Sequence, residues 1–188
     1  MQTAAEIPVA VSPAGANGLA DFDAVVAAHW TGIFRFALVS LRDADTAASV
    51  AQDCFVRAWR ARDRFRGEAS VRTWLMQIAV NLVRDAARTK RLQFWRQRQD
   101  SEMEFLAATL PDRHGSPEAG AAAKEQLRTV WIAVRDLPGR QRTVFLLRFV
   151  EEMDVREIAA ATGMAEGTVK VHLFRAVRAV RKRLGEER

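Results

Sequence analysis

One cysteine and no tyrosine occur in the 188 residues of this chain. With Cys54 alone there is no internal disulfide, and a thiolate metal site lacks its second sulfur ligand. Histidine is almost as scarce: His29, His114 and His172 lie far apart and in no ligand spacing such as H-E-x-x-H. The phosphate-binding pattern G-x-x-x-x-G-K-S/T is missing, as are G-x-S-x-G and any paired acidic motif. The sequence therefore offers no catalytic residue, no metal site and no cofactor motif, and an enzyme is not expected. No basic residue precedes Arg35, so a secretory leader would lack its positive start. Apolar runs are read as shorter than the roughly 18 residues of a membrane span. A soluble, cytoplasmic protein without membrane insertion is the expectation.

Lysine is the next scarcity. Only Lys90, Lys124, Lys170 and Lys182 stand among the 29 basic residues, and the rest are arginine. The formal net charge is +6. Arginine's planar fork matches phosphate oxygens, so the balance suits nucleic acid. A GC-rich genome, whose codons favour arginine, produces the same bias, and placement of the charge is the better guide.

Residues 1–18 are rich in Ala, Pro and Gly without periodicity and read as a disordered tail. From residue 19 to 99 the pattern is helical. A first helix is expected over about 21–41, then a capped turn at Arg42–Asp45, then a helix with Ala47, Val50, Ala51, Cys54, Phe55 and Ala58 on its inner side. Cys54 on that stripe reads as a small core residue, with redox sensing the alternative. Residues 100–120 turn acidic and carry Pro111, Gly115, Pro117 and Gly120, the mark of a linker, with a short helix about Glu102–Thr109. Helices return over 121–188, at about 121–136, 140–150, 154–162 and 167–184. The fold class is all-α: two small helical domains joined by a flexible linker, the second containing a helix-turn-helix.

The run from Phe65 to Asn81 is the most informative in the chain. A polar turn leads straight into an amphipathic helix with Val71, Trp74, Leu75, Ile78 and Leu82 on its buried stripe. Ser70 is placed to cap its first turn. Gln77, Asn81, Arg84 and Arg88 recur on the opposite face, which becomes basic toward its end. Such a loop beside a cationic ridge suits a nucleic-acid strand. Phe94 and Trp95, between Arg91 and Arg96, either add stacking surface or pack in the core or against the linker.

Val155–Leu184 reads as a helix-turn-helix. Gly163 ends the first helix and Thr168 is placed to cap the second. Ala159, Ala160 and Ala161 permit close helix approach. Val169, Leu173, Ala176, Val180 and Leu184 form the second helix's buried stripe. Lys170, Arg175, Arg178, Arg181, Lys182 and Arg183 make it cationic, and no carboxylate lies between Gly167 and Leu184. Such a helix fits the major groove, its first residues at base edges and its later arginines at phosphate. A solvated basic helix in a bundle is the plainer alternative.

These motifs resemble a family. Phe65, Arg66, Gly67, Thr73, Trp74, Leu75, Ile78, Ala79 and Asn81 match the F-R-G-x-S/A-x-x-x-T-W-L-x-x-I-A-x-N segment of bacterial sigma factors of the extracytoplasmic-function (ECF) group. The second domain is similar to theirs at Leu137, Pro138, Arg142, Phe145, Leu147 and Arg148, at Glu157–Ala159, and at Gly167–Lys170, Leu173, Arg175 and Ala176. Val171 and His172 stand where Ser and Arg are common. The resemblance implies a protein that directs RNA polymerase core to promoters and helps melt the −10 element. It implies −10 contacts by Ala61, Phe65, Arg66, Gly67, Ser70, Asn81, Arg84 and Arg88. Contacts to the −35 duplex would come from Thr168, Lys170, Val171, His172, Phe174, Arg175, Arg178 and Lys182. Ser49, Gln52 and Asp53 would dock on the β′ clamp helices, with Ser49 in place of a usual Asp, and the β flap would be a further polymerase contact. An anti-sigma factor is implied as a second protein partner. Two other readings stay open on the residues alone: an autonomous helix-turn-helix regulator of duplex DNA, and a helical interaction protein that binds no DNA.

Overall fold

The computed structural model describes residue 19 and residues 21–93 and 117–185; for 90–93 and 117–126 it describes the backbone alone. The tail 1–18, Phe94 and Trp95, and the linker with its expected short helix lie outside the described residues, apart from residues 117–120. Seven α-helices are described: α1 Phe22–Leu41, α2 Ala44–Ala61, α3 Val71–Gln93, α4 Pro117–Asp136, α5 Gly139–Phe149, α6 Val155–Thr162 and α7 Glu166–Arg183. No strand occurs among the described residues. Residues 117–120, expected in the linker, open α4 instead. Proline is well tolerated in a helix's first turn, where its missing N–H has no partner to lose.

Local chemistry sets the helix ends. Asp21 accepts from the amide of Ala24 and starts α1. Arg42 ends it in the left-handed conformation, and Asp43 then caps α2 through the amides of Asp45 and Thr46. Asp154 and Glu157 form a reciprocal capping box on α6, and Gly163 ends that helix at φ 70°. The expected Thr168 cap does not form. α7 begins earlier, at Glu166 behind Ala165, and Thr168 is an exposed residue of its first turn.

The first domain buries the inner face of α2 as expected: Ala47, Val50, Ala51, Cys54, Phe55 and Ala58 are all buried. Burial pushes the Cys54 thiol up to about 12, and its Sγ lies 3.4 Å from the carbonyl of Leu75. α3 differs from expectation. Leu75, Met76, Ala79, Val80, Leu82 and Val83 are buried, but Trp74 is only half-buried and lies tilted against Phe65, with ring centroids 5.0 Å apart. The buried arc is wider than the expected stripe because α3 packs against α1, α2 and α6 together.

α1 is 20 residues long with a mean hydropathy of 1.5 over its most apolar window, so by length and composition it passes for a membrane span, contrary to expectation. Its apolar residues are the centre of the first domain: Ile33, Phe36, Ala37 and Leu38 are almost wholly buried. Arg35 on the same helix is ion-paired.

Leu75→Ala should destabilise the protein by about 2–5 kcal/mol, because its side chain is fully enclosed; an unchanged urea midpoint would contradict the packing. Cys54 should resist iodoacetamide at pH 8 in the native protein and react on unfolding, since the thiolate is the nucleophile. Rapid native alkylation would place it at the surface.

Candidate nucleic-acid and polymerase interfaces

Three surfaces gather the expected site residues. The first is the loop before α3. A 3₁₀ turn at Arg62–Arg64 leaves α2, and Gly67 takes φ 72°, a conformation that a side chain would strain. Ser70 closes the loop: its Oγ accepts from the amide of Thr73 at 3.1 Å, as expected of the cap. Phe65 and Trp74 line a cavity of about 210 Å³ together with Arg64, Arg66, Gly67, Glu68 and Gln77. That is smaller than the roughly 300–1,000 Å³ of drug-sized ligand pockets and suits one small planar group.

The loop members Phe65, Arg66 and Gly67 line this cavity; Ala61, Asn81, Arg84 and Arg88 do not. Asn81, Arg84 and Arg88 form an exposed ridge further along α3, with Gln77 at its head. Gln77, Trp74 and Arg64 were absent from the expected set. Gln77 was legible as the first polar residue of the ridge. Arg64 was not, because the 3₁₀ turn that aims it toward the loop has no periodic signature. Arg66 and Arg88 make only loose, exposed ion pairs with Glu68 and Asp85, at 3.9 and 3.8 Å. Such pairs contribute little and leave both guanidinium groups available to phosphate.

The second surface is α7. Lys170, Val171, Phe174, Arg175, Arg178 and Lys182 are exposed along one side, while Val169, Ala176 and Val180 are buried on the other. Phe174 is 68% exposed, which makes an apolar contact beside cations available to a thymine methyl. His172 departs from expectation: it is half-buried and its Nδ1 is enclosed without a hydrogen-bond partner. It precedes Leu173, which is half-buried against the core.

The third surface is the outer side of α2. Ser49, Gln52 and Asp53 are exposed, and Val56 and Trp59 continue the same side at 46% and 48% exposure. Trp59 lies under the Arg62 guanidinium, 3.7 Å from its centroid, and edge-on to Phe22. Ser49 spends its hydroxyl on the carbonyl of Asp45. Among the described residues no group of three or more metal-ligating side chains occurs.

A helical bundle with an aromatic loop before its third helix, followed by a helix-turn-helix with an exposed cationic face, defines a bipartite DNA-binding protein of the sigma-70 type. The family models agree: Sigma-70 region 2 matches residues 25–93 and Sigma-70 region 4 matches residues 129–180. The chain belongs to the ECF group of RNA polymerase sigma factors, proteins that direct the polymerase to promoters. It is 32% identical to the RNA polymerase sigma-H factor of Pseudomonas aeruginosa, over 87% of this chain and 86% of that one. It is 31% identical to the ECF sigma-E factor of Escherichia coli, over 70% of each, and 29% identical to ECF SigW of Bacillus subtilis, over 81% and 82%. The fold is similar to the sigma factor RpoE in its complex with the anti-sigma factor NepR from Bartonella quintana, at TM-score 0.69 and 22% identity, covering 89% of this chain and 99% of that one.

Arg175→Ala should weaken binding to a −35 duplex by about 1–3 kcal/mol. Across salt concentrations, the unaltered protein should lose affinity with a log–log slope near −0.9 per neutralised phosphate. A flat salt profile would remove α7 from DNA.

Proposed function

We propose that the first domain captures an extruded base of the −10 strand in the Phe65–Trp74 cavity while α7 reads the −35 duplex. The carrying observation is the cavity itself: Phe65 and Trp74 on one side, Arg64 and Arg66 beside Glu68 around it, and a loop turned by the positive φ of Gly67, at the head of a polar ridge. Unstacking a base costs a few kcal/mol, and a site that stacks on it and hydrogen-bonds its edge recovers that cost. Phe65 and Trp74 supply stacking, and Gln77 supplies an amide with both donors and an acceptor. Arg84 and Arg88 would track the strand's phosphates down α3, with Asn81 between them and Gln77. Val171 and Phe174 would meet base edges, and Arg175, Arg178 and Lys182 the backbone.

In this reading the side of α2 that carries Gln52, Asp53, Val56 and Trp59 docks on the polymerase β′ clamp helices, and the second domain contacts the β flap. The chemistry of RNA synthesis belongs to the polymerase, in the cytoplasm. An anti-sigma partner is supported by a fold shared with RpoE, which was solved with NepR. The test is run-off transcription with purified core polymerase on a genomic fragment library. Discrete transcripts that depend on the added protein are expected, and none at any concentration would overturn the reading. Asn81→Ala and Gln77→Ala should leave core binding intact and slow promoter opening, read by permanganate reactivity of the −10 region; normal opening in both would empty the proposed pocket.

A further inference from the structure

The two domains expected to hang independently on a linker are joined directly. Glu151, in the turn between α5 and α6, buries its carboxylate against α1 with 7% of its side chain exposed. Arg35 grips that carboxylate with Nη2 at 2.6 Å and Nε at 3.2 Å. Arg72, in the first turn of α3, donates to the backbone carbonyl of the same residue. Glu151 is thus held at both ends by the first domain.

The seat is shaped for it. Gly32 lies one turn before Arg35 on the same face of α1, and a Cβ there would stand 3.0 Å from a Glu151 carboxylate oxygen. Glycine in a helix interior costs about 1 kcal/mol relative to alanine. The carboxylate it admits gives that cost a purpose.

A second link joins the helix caps. Ser70 Oγ lies 2.8 Å from Thr73 Oγ1, which in turn donates to Glu157 Oε1 at 3.2 Å. Glu157 is the capping-box residue of α6. Thr73 is 3% exposed, and Ala160 of α6 lines the cavity of the strand-binding loop. The first helix of the helix-turn-helix therefore stands beside the pocket of the strand-reading domain. Further out, Arg142 donates to the carbonyl of Ser40 at 3.2 Å, and Arg42 donates to that of Arg135.

This arrangement is too short for the proposed task. A folded chain of 188 residues has a radius of gyration of about 16 Å, hence a span of about 40 Å for a compact body. Elements centred about 25 base pairs apart are separated by about 85 Å of duplex, at roughly 3.4 Å per pair. Both domains cannot be engaged while they touch.

We infer that Glu151 is a latch: seated in the Gly32 notch against Arg35, it holds the helix-turn-helix domain beside the strand-binding loop, and the free protein must unlatch to engage polymerase and promoter together. This rests on the proposed function for its consequence, and on the geometry alone for the latch. A protein closed nine-tenths of the time engages a partner of the open form at about one-tenth of its intrinsic affinity.

The test compares the full chain with Gly32→Ala and Glu151→Gln. Gly32→Ala crowds the notch while removing no polar group and favouring the helix, so it remains informative should Glu151→Gln fold poorly. Small-angle scattering of the free proteins should show a larger radius of gyration in the variants, and their affinity for purified core polymerase should rise about tenfold or more. Folded variants that scatter like the unaltered chain overturn the latch. Expansion without tighter core binding overturns its role in gating. Failure of every form to bind core polymerase would sink the functional reading instead, with scattering still deciding the latch.

Discussion

The burial of α3 is the constraint on which the rest of the structure depends. Leu75, Met76 and Ala79 tie it into the first domain's core, where α1 and α2 close over them. Its opposite side is left to Gln77, Asn81, Arg84 and Arg88, and its first turn carries Thr73 toward the second domain. A helix packed on so wide an arc is a rigid post. The loop before it, pinned by the Ser70 cap and the positive φ of Gly67, inherits that rigidity. A pocket for an extruded base needs such a frame, because the stacking energy it returns must not be spent on ordering the pocket.

Periodicity carried most of the fold. The inner face of α2 was legible residue by residue, since a helix with a single packing side obeys one stripe. The same rule misplaced Trp74. α3 has neighbours on several sides, and its one aromatic ring stands half-buried at the edge of the core, against Phe65 of the preceding loop. The cap of α7 differs from expectation for a related reason. Thr168 has the chemistry of a cap, but the chain turns at Gly163–Ala165, and the helix is under way before Thr168 is reached. His172 falls on the border between the packed and the exposed sides of α7, where a 3.6-residue period does not decide between them.

The contact between the domains was invisible in the sequence. Neither Glu151 nor Gly32 belongs to a motif or a periodic stripe. Each has meaning only beside the other, and 119 positions separate them. Pattern reading is local, whereas an ion pair closed across two domains depends on the tertiary arrangement. The functional surfaces were easier, because α7 and the α3 ridge carry their chemistry on consecutive turns of one helix.

The double use of Glu157 has a mechanical consequence. One carboxylate oxygen accepts from the amide of Asp154 and belongs to the cap of α6; the other accepts from Thr73. Parting the domains therefore breaks the bond to Thr73 and spares the bond that stops α6 from fraying. On the other side, Ser70 keeps its hold on the amide of Thr73. The seam is built to come apart between two finished helix ends, so each half swings away as a solid piece and the motion costs no melting.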